Sequence, residues 1–327
     1  MPTTTTTPKA MLIINPIAGT RPKQGVAQHV GTRLGEAGYT VDILETRGPG
    51  DARRFAARGA SEGYDMVIAA GGDGTVNQAA SALCGTQTPL GIVPLGSGNG
   101  LARSLSIPSD LQYATDILLR GNVMTCDHGR VNGRDFFCTF GVGFDAAVSE
   151  RFAQERHRGR TTYVKNVIRE FLKYSPESYA ISIGGRVVTE RAFLIAVCNA
   201  SQYGNNAYIA PMARLDDGFL DMIVVHSGNV LEKALVGVDL LTGYIDRNTL
   251  IESFRISSAA ISRLEAGPAH IDGEPAELGK VINVECRPAS LRILAPDKES
   301  PFRPIISPVK SFFDDIRYDL RALIRRQ

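Results

Sequence analysis

A glycine-rich turn surrounds a single carboxylate in the first hundred residues. Gly71, Gly72 and Gly74 flank Asp73, and Thr75 follows. Glycines allow a sharp turn and place no Cβ in the way of a ligand. A helix starting here would point free N–H groups and the positive end of its dipole at that ligand, which suits phosphate. A carboxylate repels phosphate unless a metal or a reacting hydroxyl lies between them, so the turn indicates nucleotide chemistry.

Two features of the sequence limit that interpretation. Any parallel sheet needs glycine turns between strands and helices, and only the Asp-Gly-Thr centre favours a functional turn. The turn is also not a P-loop, because no Gly-Lys-Ser/Thr follows the glycines.

A second glycine turn lies further along the chain. It runs from Gly96 to Gly100 and carries Ser97 and Asn99, whose side chains could hydrogen-bond to phosphate or ribose. Each turn follows a short apolar run, as expected at the end of a buried strand. Two such turns at neighbouring strand ends form a crevice of the kind in which open α/β sheets bind ligands.

Two acidic turns occur in the second half of the chain. On local sequence alone, the turn around Asp217 is best explained as an ordinary Asp-Gly turn. The functional alternative is a Mg²⁺ site made of a carboxylate and backbone carbonyls. The turn around Asp272 and Glu274 first predicts a hairpin. Its functional reading is a general base, which alcohol attack on a phosphate requires.

The elements that must position these residues fall into two groups. The first group alternates strands with helices and predicts a mostly parallel sheet covered on both faces. Its strands are predicted over 10–15, 39–45, 65–70 and 90–95, and its helices over 25–37, 51–60, 76–83 and 101–105. After about residue 125 short strands predict an antiparallel sandwich or barrel. These strands cover 136–140, 179–183, 187–198, 220–226, 254–258, 281–286 and 291–294, with a hairpin at Gly184-Gly185 and helices over 146–173, 230–244 and 308–326.

Composition limits the class of protein. The chain of 327 residues exceeds what one hydrophobic core usually serves, so two domains are expected. A net charge of +2 argues against a general nucleic-acid binder. The five cysteines form no Cys-x-x-Cys pair, which favours reduced thiols in a cytoplasm over disulfides or a zinc site. No apolar stretch approaches the roughly 20 residues that span a bilayer.

Taken together, the motifs resemble the diacylglycerol kinase catalytic family of lipid kinases, in its bacterial branch, which is related to sphingosine and ceramide kinases. The shared motifs run in order along residues 9–295. They are Asn15-Pro16 with Gly19, Gly71-Gly72-Asp73-Gly74-Thr75, Pro94-Leu95-Gly96-Ser97-Gly98-Asn99, Gly141-Val142-Gly143-Phe144-Asp145-Ala146, Ala210-Pro211 followed by Asp216-Asp217-Gly218, and Asp272-Gly273-Glu274.

The resemblance implies an ATP-dependent lipid kinase with a defined domain order. A disordered tail over 1–8 precedes a nucleotide-binding α/β domain over 9–125 and a β-rich lipid-substrate domain over 126–300, and the helix over 308–326 packs back onto the first domain. The implied ATP-binding residues are Asn15, Thr46, Gly71, Gly72, Asp73, Gly74, Thr75, Asn77, Gly96, Ser97 and Asn99.

The resemblance also implies roles for the acidic residues. The proton acceptor falls on Asp272 with Glu274 beside it, Asp73 is a rival base, and Asp145 lies near the lipid head group. A structural Mg²⁺ is implied at the acidic turn, bound by the Asp217 side chain and the carbonyls of Arg214 and Phe219. That ion is separate from the Mg²⁺ that ATP carries.

One departure from the family bears on the acceptor. Bacterial diacylglycerol kinases usually carry Gly-Thr-x-Asn-Asp in the second glycine turn, whereas this chain has Gly100 in the last position. Its Gly-Ser-Gly-Asn turn is more similar to sphingosine and ceramide kinases, which leaves the lipid alcohol open. The alternatives are a kinase of a soluble substrate such as NAD and a non-catalytic nucleotide sensor.

A lipid substrate implies contact with a membrane surface. Residues 151–173 contain seven Lys or Arg against two acids, interleaved with aromatic residues. Such a segment is expected either to lie on an anionic leaflet or to form a solvated charged helix face. The predicted location is cytoplasmic with peripheral membrane association, a homodimer is considered, and no nucleic acid is expected as a partner.

Overall fold

The structure is a computed structural model. It describes residues 7–19, 25–154, 174–204, 207–229 and 248–297, together with residues 232, 236, 239 and 242–245. Several predicted segments therefore lie outside the described residues: most of the tail 1–8, the helix over 146–173 beyond residue 154, most of the helix over 230–244, and the helix over 308–326. Most of the basic stretch 151–173 lies there too.

The first part of the chain is an open parallel α/β sheet. Its elements are β1 (Lys9–Ile14), α1 (Val26–Glu36), β2 (Thr40–Glu45), α2 (Asp51–Ser61), β3 (Met66–Gly71), α3 (Asp73–Leu83), β4 (Leu90–Pro94), α4 (Gly100–Ser104) and α5 (Leu111–Arg120). The strands lie in the order β4-β3-β1-β2. The chain passes from β1 to β2 on one side and returns to β3 on the other, so the topological switch lies between β1 and β3.

Successive side chains of the central strands point to opposite faces of the sheet and pack into two hydrophobic cores, one on each face. On one face Met11 and Val67 pack with Ala56 of α2 and Leu83 of α3. On the other face the intervening strand residues pack with α1 and α5. A strand buried on both faces must be apolar throughout, which is why β3 appears in the sequence as a continuous apolar run.

Helix α5 and strand β5 (Asn122–Val131) are absent from the sequence prediction. The start of α5 is nevertheless marked by a cap, because Asp110 accepts hydrogen bonds from Gln112 N at 3.0 Å and Tyr113 N at 3.1 Å. An Asp immediately before an apolar helical pattern is a recognisable N-terminal signal.

The second part is antiparallel and rich in strands. It contains β6 (Arg134–Phe136), β7 (Thr139–Gly143), α6 (Phe144–Gln154), β8 (Glu177–Ile183), β9 (Arg186–Cys198), β10 (Gln202–Gly204), β11 (Ala207–Tyr208), β12 (Leu220–His226), β13 (Ile251–Ile256), β14 (Ser258–Arg263), β15 (Gly267–Ile271), β16 (Glu274–Leu278) and β17 (Val281–Ala295). Phe136, Phe140 and Tyr179 are among the large buried side chains of its core. The Gly184-Gly185 hairpin is confirmed, with φ of 56° and 81° at the two glycines.

Strand β17 joins the two parts. Residues 281–285 of β17 pair with β14, and residues 284–287 and 291–295 pair with β5. Ile293 also pairs in parallel with Leu90 of β4. The sequence predicted two strands here, and the structure has one with an irregular register between Arg287 and Leu291, where Ala289 adopts φ 48°. The predicted domain boundary at residue 125 falls inside β5.

The predicted strand over 136–140 is also corrected, since β6 ends at Phe136 and β7 begins at Thr139. Within the described ranges, no helix is both long and apolar enough to cross a bilayer.

Candidate functional site

The two glycine turns meet at the carboxyl ends of neighbouring strands. Gly72 follows β3 and Gly96 follows β4, and a Cβ placed on Gly96 would lie 2.7 Å from the Cα of Gly72. Backbone this close leaves no room for a side chain at position 96, which explains the glycine there. The turns therefore form one surface, beside the switch between β1 and β3.

Asp73 ties the two turns together. Its Oδ2 accepts from Asn99 N at 2.8 Å and its Oδ1 from Gly100 N at 2.6 Å. A Cβ on Gly98 would lie 2.7 Å from Asp73 Oδ2, so glycine is needed there too. A carboxylate offers about four lone-pair positions, and these two bonds use one on each oxygen.

Other predicted ligand residues shape the turns instead. Asn15 Nδ2 donates to the buried Thr75 Oγ1 at 3.0 Å, which joins the loop after β1 to the first glycine turn. The Asn99 side chain is also buried: its Oδ1 accepts from Gly96 N at 3.0 Å and its Nδ2 donates to Gly96 O at 2.8 Å. These bonds hold the Asn99 side chain within the second turn, and its contact with a nucleotide stays a prediction.

Two further predicted residues lie at the rim of this surface. Ser97 is exposed at the tip of the second turn. Thr46 is partly exposed just beyond β2, where its backbone N–H donates to Ile14 O at 2.8 Å. Both positions leave the side chains open to a ligand.

The Asp272 turn comes from the β-rich part and docks on α3. Asp272 and Gly273 adopt φ of 50° and 79° in a tight turn between β15 and β16. Asn77 on α3 donates to Asp272 Oδ2. A Cβ on Gly74 would lie 2.9 Å from Glu274 Oε1, so Glu274 lies against the first turn of the same helix. The structure thus brings Asp73, Asp272 and Glu274 to one helix end.

The Asp272 carboxylate is also held by three backbone groups. Phe137 N and Cys138 N each donate to it at 2.8 Å, and Thr139 N donates at 3.0 Å. These N–H groups turn towards the carboxylate rather than a neighbouring strand, which is why the predicted strand over 136–140 is interrupted. Burial raises the pKa of Asp272, against the opposing effect of these donors and of Asn77.

Asp145 belongs to a network that the sequence did not reveal. It lies in the first turn of α6, and its Oδ2 accepts from Tyr203 Oη at 2.8 Å and lies 2.9 Å from His270 Nε2. Burial lowers the pKa of His270, but Asp145 outweighs it and the net shift is upward. A Cβ on Gly141 would lie 2.2 Å from Asp145 Oδ2, which explains that glycine of the motif.

The Asp217 carboxylate of the acidic turn already faces a cationic side chain. Asp217 Oδ2 pairs with Arg255, and its Oδ1 accepts from Phe219 N at 3.0 Å. The Arg255 guanidinium also lies over the Phe219 ring, 4.7 Å from its centroid. Arg214, whose carbonyl was assigned to the metal, has its guanidinium on Asp216 at 3.2 Å. No cluster of three His, Cys, Asp or Glu that could hold a metal occurs in the described ranges.

A buried carboxylate missed by the sequence analysis holds this turn in place. Asp127 accepts from Gly218 N at 2.6 Å and from Ala289 N at 2.7 Å. It thereby joins the acidic turn to the irregular part of β17. Nothing in the local sequence marks Asp127, since it lies mid-strand in β5.

We expect chelation to leave the fold unchanged because Arg255 supplies the positive charge at this turn. Excess EDTA should shift the melting temperature of the nucleotide-free protein by less than about 1 °C, whereas a metal that binds only the folded state would shift it by several degrees. Differential scanning fluorimetry with EDTA or added Mg²⁺ makes the measurement.

The matched variant for this test is Arg255→Ala, which leaves Asp217 without its cation. It should lose stability and regain part of it with millimolar Mg²⁺. A large EDTA effect on the unmodified protein would contradict the assignment.

Comparison with known proteins identifies the two parts of the chain. The model for the diacylglycerol kinase catalytic domain matches residues 9–131. The model for the YegS C-terminal NAD kinase beta sandwich-like domain matches residues 138–295. A diacylglycerol kinase of Staphylococcus saprophyticus is 26% identical over 278 residues, covering 81% of this chain and 88% of that protein.

Solved structures agree in fold. A crystal structure from Bacillus anthracis Sterne, of a protein named as a diacylglycerol kinase, has a TM-score of 0.74 at 25% identity and covers 89% of this chain and 98% of its own. An NAD kinase from Archaeoglobus fulgidus in complex with ATP has a TM-score of 0.53 at 12% identity, covering 89% and 95%, and shares the fold alone. With both domain models matched in order along its length, the chain belongs to the diacylglycerol kinase catalytic-domain family, whose members are ATP-using kinases.

Proposed function

We propose that the protein transfers the γ-phosphoryl group of ATP to a hydroxyl group of a lipid. The observation that carries this proposal is the docking of the Asp272-Gly273-Glu274 turn on the helix that starts at the first glycine turn. This docking brings the carboxylates of Asp272 and Glu274 to the helix end that we assign to phosphate binding, and transfer to an alcohol needs both groups in one place.

The glycine turns supply the nucleotide side of this crevice. Their backbone approaches at Gly72 and Gly96, and helix α3 directs its first N–H groups towards the same place. ATP enters as its Mg²⁺ complex, in which the ion is part of the substrate. Ser97 and Thr46, open at the rim, are the side chains that we assign to contacts with the nucleotide.

We assign the proton acceptor to Asp73 rather than Asp272. Each oxygen of Asp272 already accepts two hydrogen bonds, so its lone-pair positions are filled. Each oxygen of Asp73 accepts one bond from the second glycine turn and keeps a position for a substrate hydroxyl. Asp73 then takes the hydroxyl proton as the oxygen attacks the γ-phosphorus, and Asp272 fixes the turn that carries Glu274.

A soluble acceptor such as NAD is the second candidate. Its support is the fold shared with the Archaeoglobus fulgidus NAD kinase and the NAD kinase-like description of the C-terminal domain. The relatives with the higher similarity are named diacylglycerol kinases, and they favour a lipid. The Gly-Ser-Gly-Asn turn and the Asp272-Gly273-Glu274 turn also favour a lipid alcohol.

One acceptor screen separates these candidates. The purified protein is incubated with Mg²⁺ and γ-labelled ATP, and with vesicles containing diacylglycerol, ceramide or sphingosine, or with NAD in solution. We expect label in one lipid product at least 100-fold above NAD, a discrimination of about 2.7 kcal/mol. Label in NAD alone would replace the proposal by its alternative, and ATP binding without any labelled product would support a nucleotide sensor.

The vesicles used in this screen also test whether the protein binds a membrane surface. We propose peripheral binding, because a lipid acceptor stays in the bilayer while the described chain contains no helix that could cross it. The protein should sediment with anionic vesicles and lose that binding at high salt. Reversal of Arg156, Arg158 and Arg160 to Glu should release it, whereas reversal of the exposed Arg53, Arg134 and Arg186 is the charge-matched control.

A further inference from the structure

We propose that His270 is a positioning residue, which fixes the Asp272-Gly273 turn relative to Asp145 on the acceptor side of the site. The proposal rests on the kinase function proposed above and deepens its acceptor half. His270 lies at the end of β15, just ahead of the turn, and its side chain is 1% exposed. A buried ring with polar contacts at both nitrogens has little freedom to move.

The two ring nitrogens contact different parts of the site. Gly273 N donates to His270 Nδ1 at 3.3 Å, a bond inside the tight turn. With Nδ1 as acceptor, the proton of the neutral ring is on Nε2, which lies 2.9 Å from Asp145 Oδ2. The imidazole of His270 therefore connects the backbone of the Asp272-Gly273 turn with Asp145 in the first turn of α6.

Tyr203 extends this contact to the nucleotide side. Its hydroxyl donates to the same Asp145 oxygen, and its ring meets the His270 ring edge-on at a centroid distance of 6.0 Å. A Cβ on Gly100 would lie 3.4 Å from the backbone oxygen of Tyr203, so β10 lies against the second glycine turn. The network thus runs from that turn through Tyr203, Asp145 and His270 to Gly273.

Space around the network is filled. A Cβ on Gly141 would lie 2.4 Å from His270 Nε2 as well as against Asp145, and β7 pairs Gly141 directly with His270. The imidazole cannot shift towards β7, and Asp272 N is held by Thr139 O at 2.8 Å on the same strand. Loss of either ring contact therefore displaces the turn or Asp145 rather than being absorbed elsewhere.

Two isosteric substitutions separate the two contacts. In His270→Asn the side-chain oxygen can replace Nδ1 and keep the Gly273 bond, while in His270→Gln the side-chain amide can replace Nε2 and keep the Asp145 contact. Both variants should lower kcat/KM for the acceptor found in the screen by roughly tenfold or more, because small misplacements in a site are costly. The Kd for ATP should stay within about twofold, since the nucleotide turns keep their own bonds.

Hydrogen exchange provides a readout that needs no turnover. Exchange at Gly273 should speed up in His270→Gln and stay as in the unmodified protein in His270→Asn. His128, another buried histidine, which contacts Asp135 and Ser290, is the control: His128→Gln should cost stability without a selective effect on the acceptor. Tyr203→Phe, at a partly exposed position, should raise acceptor KM and leave Gly273 exchange unchanged.

These readouts distinguish failure of the inference from failure of the proposed function. An unmodified protein that phosphorylates no lipid refutes the proposed function, and Gly273 exchange still reports on His270. Equal Gly273 exchange in both His270 variants, or equal losses in ATP affinity and acceptor kcat/KM, would overturn the positioning role.

Discussion

Replacing Asp73 by alanine is expected to lower kcat by a factor of about 10² to 10⁴, the usual contribution of a general base. The Kd for ATP should rise by a smaller factor than the one by which kcat falls. Asp73 is the expected base because each of its oxygens keeps one lone-pair position for a substrate hydroxyl. Both positions on each oxygen of Asp272 are already occupied by hydrogen bonds.

Steady-state kinetics with the lipid acceptor and calorimetric titration of an ATP analogue provide the measurement. Asp73→Asn is the informative companion, because its amide would place a donor against the N–H of Asn99 or Gly100 and open the link between the turns. It should therefore weaken ATP binding more than alanine does. Equal loss of ATP affinity and turnover in Asp73→Ala would mean that the carboxylate only joins the turns.

The position of the two glycine turns could be predicted from sequence because each turn is a local pattern. Gly71 to Thr75 follow an apolar strand and begin a helix, and the second turn repeats the pattern after β4. Strand period and turn chemistry suffice to place such residues at neighbouring strand ends. The local pattern could not show which groups the polar side chains of these turns contact. Asn99 and Thr75 are buried, and each forms hydrogen bonds with other residues of the site.

The acceptor half depends on contacts between residues far apart in the chain. Asp272 finds its partners on α3 and between β6 and β7, and His270 finds Asp145 and Tyr203 on two further elements. No spacing rule relates these positions. The acidic turn marked Asp272 as a candidate base, but only the motif resemblance pointed to Asp145. The same limit explains the missed Asp127, whose role depends on a turn and a strand irregularity elsewhere.

The metal site stays a prediction, and the structure shows another partner for its carboxylate. A turn with Asp217 and two carbonyls has the right donor types for Mg²⁺. Whether a cation is needed depends on what else faces the carboxylate, and here Arg255 reaches it from the neighbouring strand β13. Nothing in the sequence around Arg255 indicates that its side chain contacts Asp217.

Replacing Asp272 by alanine is expected to destabilise the fold by roughly 3 kcal/mol or more, which is the second large effect. Phe137, Cys138 and Thr139 are buried, and each would be left with a backbone N–H lacking its acceptor, at a cost of about 1–3 kcal/mol apiece. Alanine at φ 50° adds about 1 kcal/mol of backbone strain. Urea unfolding followed by circular dichroism measures the loss.

Three controls separate these terms. Asp272→Gly removes the carboxylate without the backbone strain. Asp272→Asn tolerates the left-handed backbone and keeps one acceptor oxygen for two of the N–H groups. Among the three substitutions of Asp272, asparagine should therefore lose the least stability. Asn77→Ala removes the side-chain donor alone and should cost about 1 kcal/mol. If Asp272→Ala kept nearly full stability while abolishing turnover, the carboxylate would be free to react, and Asp272 rather than Asp73 would be the base.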